Sequence, residues 1–229
     1  MHPVSVRPEI IARVLARRGR TDWFDRLDPA RTALLVIDMQ TAFCEPGAPA
    51  EVPLSRAIVP AINALTGELR KRGCPVIWVV HANTSRGGNS DWSLFFNHVV
   101  GEAVRDRTMA ALAPGQQTIW EELEVSPEDH TVIKNRYSAL IAGSSQLERL
   151  LRSLGIDTVL IAGTKTNVCC ESTARDAMML DFKTVLLSDC CAALSDDEHR
   201  AALENVFQQF GDVLTADEAL RKLATTGNT

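Results

Sequence analysis

Short apolar runs alternate along the chain with patterns typical of helices, and this alternation constrains the fold more than any other feature. Each run is bounded by turn residues, as expected for a strand buried on both faces of a parallel sheet. The runs cover residues 33–37, 74–80, 131–133, 159–162, 184–187 and 212–214. Helical patterns begin near residues 55, 144, 168, 195 and 216. The order predicts an α/β, three-layer Rossmann-like fold, in which helices cover both faces of a mostly parallel six-stranded sheet.

Residues 1–30 precede the first strand and are predicted to form a helical extension, which leaves residues 31–229 as the main domain. Within the extension, residues 9–18 form an amphipathic helical pattern that ends at Gly19. Its apolar positions are Ile10, Ile11, Val14 and Leu15. This stripe needs a partner, either the chain's own domain or another subunit. We expect a homo-oligomer, a dimer or a tetramer, and a frayed tail at residues 225–229.

The composition excludes several classes of function. Hydrophobic residues make up 45% of the chain, enough for a full core, and the net charge of −5 argues against a nucleic-acid or membrane partner. No apolar run approaches the length of a membrane span, and the N-terminal MHPVSVRPEI lacks a signal-peptide core. The 6 cysteines lack paired metal-ligand spacing, so we expect reduced thiols in the cytoplasm. No nucleotide-binding glycine motif occurs, so no cofactor is expected.

Three reactive side chains follow three of the apolar runs. Asp38 follows the first run, Lys134 follows the third, and Cys169 lies at the start of the helix after the fourth. The carboxyl ends of parallel strands face the crevice in which open α/β sheets bind ligands. A helix N-terminus also favours the thiolate, which is the nucleophilic form of cysteine. Taken singly, each residue also fits a structural role, as a turn aspartate, a solvated lysine or a buried cysteine.

The segments around these residues resemble the motifs of a known family. They read VIDMQ followed by a phenylalanine, KNRYSA, and GTKTNVCCESTARDA. In this order they resemble the isochorismatase-like cysteine hydrolases over residues 31–215. The resemblance implies that Cys169, not Cys170, is the nucleophile, that Asp38 is the general base and that Lys134 completes the triad.

The same resemblance implies an oxyanion hole made by the backbone N–H groups of Lys165 and Cys169, with a cis peptide between Thr164 and Lys165. It points to the amidohydrolase branch, with most similarity to ureidoacrylate and carbamoyl amidohydrolases. The implied reaction cleaves a C–N bond of a small amide or ureido compound through a thioester and releases ammonia or an amine.

Other functions stay open at this point. A vinyl-ether hydrolase acting on isochorismate is one, although such enzymes do not need the cysteine. A redox or metalloid-binding protein is suggested by the adjacent pairs Cys169-Cys170 and Cys190-Cys191, but adjacent cysteines form strained disulfides. A non-catalytic scaffold is the last alternative, and a complete set of Asp, Lys and Cys argues against it.

Neutral and aromatic residues near the predicted crevice suggest a pocket for a small polar amide. The candidate substrate-binding residues are Tyr137, His81, Asn83, Phe43 and Trp92. Residues 84–120 follow no regular pattern: residues 85–92 are polar and predicted to be a loop, and apolar residues follow from Trp92. The segment is either a surface excursion packed on the core or a pocket wall, a lid or a subunit interface. Some nicotinamidases of the resembled family bind a metal through an Asp and several His. This chain lacks their Asp-Trp-His run and its 5 histidines do not cluster, so no metal is expected.

Overall fold

A parallel six-stranded sheet forms the centre of the protein in a computed structural model that describes residues 2–87 and 89–223. The strands are β1 (Thr32–Ile37), β2 (Val76–His81), β3 (Ser85–Arg86), β4 (Asn89–Ser90), β5 (His130–Lys134), β6 (Thr158–Thr164), β7 (Lys183–Ala192) and β8 (Asp212–Leu214). The main sheet has the order β5-β2-β1-β6-β7-β8 and every pairing in it is parallel, whereas β3 and β4 form a separate antiparallel hairpin. The predicted frayed tail, residues 225–229, lies outside the described residues.

Helices cover both faces of the sheet, as the alternation of runs predicts. They are α1 (Pro8–Arg18), α2 (Thr41–Cys44), α3 (Val59–Lys71), α4 (Glu102–Ala111), α5 (Leu147–Ser153), α6 (Glu171–Met179), α7 (Asp196–Gln209) and α8 (Ala216–Lys222). Strand β1 is buried along its whole length because its side chains alternate between two cores. Leu34 and Val36 face α3 and α8, whereas Leu35 and Ile37 face α5, α6 and α7. The α/β, Rossmann-like prediction is confirmed.

The N-terminal helix α1 packs on the chain's own domain. Ile10 and Val14 are buried against Phe207 of α7, and Gly19 ends the helix in a left-handed conformation with a φ of 74°. Arg7, just before α1, binds both carboxylate oxygens of Glu204 on α7, each at 2.7 Å. One of the two partners proposed for the apolar stripe is therefore present within the chain.

Three elements differ from their predicted bounds. Strand β7 continues to Ala192 instead of ending near residue 187, because the pairing register shifts and Gly163 of β6 pairs with Cys191. Helix α5 begins at Leu147 instead of residue 144, since the preceding serine hydroxyls donate to backbone carbonyls in a turn. The α-helical part of residues 55–73 begins at Val59, after a 3₁₀ segment, and a proline occupies its first turn.

Residues 84–120, which follow no regular pattern in the sequence, form an ordered excursion that packs on the core. After the β3–β4 hairpin they form a π-helical turn, Phe95–Val99, and then α4. A separate apolar cluster forms here, in which Phe96 and Leu112 are buried against Ala42 of α2. This excursion therefore packs on the segment that follows β1, at the carboxyl end of the sheet.

Strands β1 and β6 approach each other most closely at Gly163. This glycine has a φ of 112°, and a Cβ atom built on it would lie 2.0 Å from the carbonyl oxygen of Ile37. Only a residue without a side chain fits this conformation and this spacing. The contact holds the end of β1, which Asp38 directly follows, against the end of β6.

None of the helices in residues 2–87 and 89–223 has both the length and the apolar character needed to cross a membrane.

Candidate active site

Asp38, Lys134 and Cys169 come together at the carboxyl edge of the sheet. Asp38 directly follows β1, and Lys134 is the last residue of β5. Cys169 lies in the π-helical turn Thr166–Cys170, after β6. The Lys134 Nζ atom lies 2.9 Å from Asp38 Oδ2 and 3.6 Å from Cys169 Sγ. Asp38 adopts a left-handed conformation with a φ of 54°, which is uncommon for a residue other than glycine. The sequence therefore predicted a group of side chains that the fold does assemble.

Burial controls the electrostatics of these three groups. Both side chains of the Asp38–Lys134 pair are fully buried. Burial raises the pKa of Asp38 despite the nearby Lys134 ammonium. Burial alone would lower the pKa of Lys134, but Asp38 and Cys169 together outweigh burial and the pKa is raised. Burial, together with the charge of Asp38, raises the pKa of Cys169 well above its usual value. Burial therefore keeps the Cys169 thiol neutral, beside the buried pair of Asp38 and Lys134.

The Asp38 carboxylate keeps capacity to accept a proton. Within the described residues, both of its oxygens are buried and neither meets a well-aligned hydrogen-bond donor, although Lys134 Nζ lies close to Oδ2. A buried acceptor without an aligned donor is costly, so such a group persists where chemistry needs it. Asp38 is thus placed to take the proton of the Cys169 thiol.

The turn that carries Cys169 is tightly constrained. The Thr164–Lys165 peptide that precedes it is cis. The N–H groups of Val168 and Cys170 donate to the carbonyl of Lys165 at 3.1 and 3.2 Å. The hydroxyl of Thr166 lies 2.9 Å from His199 Nδ1 on α7. These bonds fix the backbone of the turn. The two expected oxyanion donors, the N–H groups of Lys165 and Cys169, belong to this backbone.

A cavity of about 230 Å³ opens beside Cys169. Four of the five predicted substrate-binding residues line it, namely His81, Phe43, Trp92 and Tyr137, and so does Lys165. Burial raises the pKa of the Tyr137 phenol, so it is protonated and can donate. The fifth residue, Asn83, is buried behind His81, and its side chain binds His81 Nε2 and Asp91 instead of facing the cavity. The structure therefore moves Asn83 from the predicted pocket wall to the layer behind it.

Several cavity residues lie in segments that carry no motif. They are Pro49, Ala50, Glu51, Phe95, Thr108, Leu112, Val168 and Leu194. Phe95 stacks on Trp92 with their ring centroids 4.8 Å apart. The Glu51 carboxylate accepts from the N–H of Gly47 at 2.8 Å and from Arg56 at 3.0 Å. In the sequence, the aromatic residues near position 92 indicated a wall of the cavity. Nothing in the sequence indicated Glu51, because its segment has the pattern of an ordinary polar loop.

Nothing in the described residues assembles a metal site. In residues 2–87 and 89–223, no group of three or more His, Cys, Asp or Glu side chains is placed to hold a metal ion. All six cysteines are free thiols.

Arg136, a second cation near the site, donates to the backbone oxygens of Asn135 and Asp91 and lies over the Trp92 ring. Arg136 therefore braces the excursion, whereas Lys165 lines the cavity.

Most of the chain matches a known protein family. The isochorismatase domain matches residues 32–218, which is more than half of the chain. The chain belongs to the isochorismatase family. A cysteine hydrolase from Pseudomonas syringae pv. phaseolicola 1448A has a similar structure, with a TM-score of 0.72 and 31% sequence identity, and the match covers 86% of this chain and 93% of that chain.

Two sequence relatives of the family carry different names. A probable inactive nicotinamidase of Arabidopsis thaliana is 36% identical over 176 residues, which cover 74% of this chain and 85% of the relative. A maleamate amidohydrolase of Pseudomonas putida is 29% identical over 207 residues, which cover 88% of this chain and 91% of the relative. The family predicted from the three motifs is confirmed, and the protein is an isochorismatase-family hydrolase.

Proposed function

We propose that this protein is a cysteine-dependent hydrolase that cleaves a C–N bond of a small amide or ureido compound. The reaction passes through a thioester and releases ammonia or an amine. The observation that carries the proposal is the contact of Lys134 with both Asp38 and Cys169, directly behind the cavity that Cys169 lines. A nucleophile beside a base and a fixed cation is the arrangement that acyl transfer requires.

The first half of the reaction forms the thioester. Asp38 takes the proton of the Cys169 thiol as the sulfur attacks the carbonyl carbon of the substrate. Lys134 stabilises the negative charge on the sulfur as it develops. The N–H groups of Lys165 and Cys169 donate to the oxyanion of the tetrahedral intermediate. The C–N bond then breaks, and the leaving nitrogen takes the proton that Asp38 holds.

The second half of the reaction returns the enzyme to its resting state. Asp38, again a carboxylate, removes a proton from a water molecule that attacks the thioester carbonyl. The C–S bond breaks, the acid product leaves, and the Cys169 sulfur regains a proton from Asp38. Because one carboxylate serves as base and acid in both halves, its raised pKa matches both roles.

The cavity supports a small substrate. A volume of about 230 Å³ is below the usual range for drug-sized ligands. Its aromatic walls, Phe43, Trp92 and Tyr137, suit the flat shape of an amide or ureido group, and the Tyr137 phenol supplies a donor. Redox chemistry between the two neighbouring thiols is disfavoured because Cys170 is fully buried and burial raises its pKa well above the usual value.

Ammonia release from a panel of small amides and ureido acids tests the proposal. We expect at least one compound to release ammonia and to do so no longer after the enzyme is treated with iodoacetamide. Alkylation should be located on Cys169 by peptide mass spectrometry, and saturating substrate should slow it. Release that persists after complete alkylation of Cys169 would contradict the thioester mechanism.

A further inference from the structure

A chain of hydrogen bonds connects the catalytic lysine to a carboxylate outside the cavity. Lys134 Nζ lies 2.9 Å from His81 Nδ1, and His81 Nε2 lies 2.7 Å from Asn83 Oδ1. Asn83 Nδ2 in turn lies 2.8 Å from Asp91 Oδ1. We name these residues, Asp91, Asn83 and His81, the relay. All but Asp91 are more than nine-tenths buried, so water does not compete strongly for these bonds.

The direction of every bond in the relay follows from its ends. Burial opposes ionisation of Asp91, but hydrogen bonds from Asn83, Thr84 and Asn135 together outweigh it and lower the pKa, so the Asp91 carboxylate only accepts. Asn83 Nδ2 faces this carboxylate and also the carbonyl oxygen of Asn135 at 3.2 Å, so the amide nitrogen must be at that position. Asn83 Oδ1 therefore faces His81, and the proton of the imidazole is on Nε2.

The tautomer of His81 decides how Lys134 uses its protons. With the ring proton on Nε2, His81 Nδ1 presents a lone pair to the Lys134 ammonium. A second proton goes to the carbonyl oxygen of Arg136 at 3.0 Å. An ammonium has three N–H bonds, so a single one remains for Asp38 Oδ2 and Cys169 Sγ. That proton can be donated to the sulfur, 3.6 Å away, when Asp38 takes up the thiol proton.

We propose that Asp91 and Asn83 are positioning residues, which hold His81 in the tautomer that accepts from Lys134 and so direct the third N–H of Lys134 to the Asp38–Cys169 pair. The proposal rests on the proposed function for its effect on rate. Neither residue touches the substrate, since neither lines the cavity. Asp91 directly follows the β3–β4 hairpin and precedes Trp92, whose ring stacks on His81 with the centroids 5.9 Å apart. The relay thus links the excursion to the catalytic lysine.

A direct measurement of the tautomer tests the relay independently of activity. In protein labelled with ¹⁵N-histidine, we expect the His81 ring at pH 7 to give the signature of a neutral imidazole protonated at Nε2. The signal is assigned by its loss in His81→Asn. In Asn83→Leu, which keeps the size of the side chain but has no acceptor, the signal should become that of the other tautomer or a mixture. A wild-type ring protonated at Nδ1, or at both nitrogens, would overturn the proposal.

A double-mutant comparison separates positioning from bracing. In the wild-type background, Asn83→Leu should lower kcat about tenfold or more while KM changes less than about threefold. The His81→Asn side chain offers an oxygen near the position of Nδ1, and that oxygen accepts without needing a tautomer. In the His81→Asn background, the same Asn83→Leu change should therefore cost less than about threefold in kcat. An equal cost in both backgrounds would mean that Asn83 only supports the fold, and would overturn the relay.

Asn135 provides the matched control. Its Nδ2 atom donates to Asp91 Oδ2 at 3.3 Å, but it has no bond to His81. Asn135→Ala should keep kcat within about threefold of the wild type and leave the His81 tautomer unchanged. If Asn135→Ala lost as much kcat as Asn83→Leu while the His81 tautomer stayed unchanged, the loss would not depend on the tautomer, and the relay would be contradicted. If no compound in the panel is hydrolysed, the function fails while the tautomer measurement still decides the relay.

Discussion

Two neighbouring cysteines have different surroundings in this structure. Cys169 lines the cavity and lies 3.6 Å from Lys134 Nζ. Cys170 is fully buried, its sulfur points to the carbonyl oxygen of Ala162, and it lies beside Cys191. The side chains of adjacent residues in a helical turn point in different directions, so only one of the two thiols can line the cavity.

We predict that Cys169→Ala lowers kcat/KM by about a thousandfold or more, because the thioester can no longer form. Cys170→Ala should keep most of the activity. The measurement is ammonia release by each variant on the compound found in the panel, with circular dichroism to show that both are folded. Equal losses in two folded variants would refute the assignment of the nucleophile.

The pH profile should report Asp38. Burial outweighs the Lys134 ammonium and raises the pKa of Asp38, and a protonated Asp38 cannot take the thiol proton. As the pH falls through this raised pKa, kcat/KM should therefore decrease, beginning above the usual aspartate value of about 3.9. The pKa of Lys134 is raised as well, so its deprotonation should cause no loss at moderately alkaline pH. A kcat/KM that stays constant down to the usual aspartate range, in folded enzyme, would contradict the role of Asp38 as base.

Tyr137 should contribute one hydrogen bond to the substrate. Its phenol lines the cavity and is protonated, since burial raises its pKa. Tyr137→Phe removes the hydroxyl and keeps the ring that packs against Trp92 and Phe95. We expect a rise in KM or a fall in kcat worth about 1–2 kcal/mol, the size of one buried hydrogen bond left unpaired. Unchanged steady-state kinetics would remove Tyr137 from the binding site.

At the scale of elements, the N-terminal extension is anchored to the domain along its length. His2 Nδ1 lies 2.6 Å from Asp196 at the start of α7, and α1 packs against Phe207. The backbone N–H groups of Trp23 and Phe24 donate to Asp212. We propose that residues 1–30 form an extension that stabilises the hydrolase domain, residues 31–229, from within the same chain.

Val14→Ala tests this role of the extension. Val14 is 1% exposed, so the substitution leaves a small cavity between α1 and α7. We expect the free energy of unfolding in urea to fall by about 1–3 kcal/mol. Leu15→Ala is the control, because Leu15 is 42% exposed and should cost much less. If Leu15→Ala costs more and its effect depends on protein concentration, the stripe contacts another subunit instead.

Particular elements show what the sequence could predict. The strands were predictable because a strand buried on both faces is a short apolar run, and the end of each run located Asp38, Lys134 and Cys169. Asp91 was not predictable, because its partner Asn83 lies across a hairpin turn and no periodicity links them. The extra length of β7 depends on a register shift against β6, which is a property of two strands and not of one.

For the whole molecule, we predict that activity survives exhaustive chelation. The structure places no group of three or more potential ligand side chains together within residues 2–87 and 89–223. The carbonyl is therefore expected to be polarised by the oxyanion donors, not by a metal ion. The measurement is ammonia release after prolonged dialysis against EDTA, with metal content checked by elemental analysis. Loss of activity that zinc or another divalent ion restores would overturn the prediction.

The contact at Gly163 limits how the protein can change in evolution. A single added methyl group at this position would overlap the carbonyl oxygen of Ile37, so β1 and β6 could not keep their spacing. Asp38 is the next residue after Ile37, so any displacement there would carry the base away from the sulfur it serves. Single substitutions in the aromatic wall of the cavity can change which substrates fit without moving the strands. Position 163 offers no such path, because even alanine separates the halves of the catalytic centre.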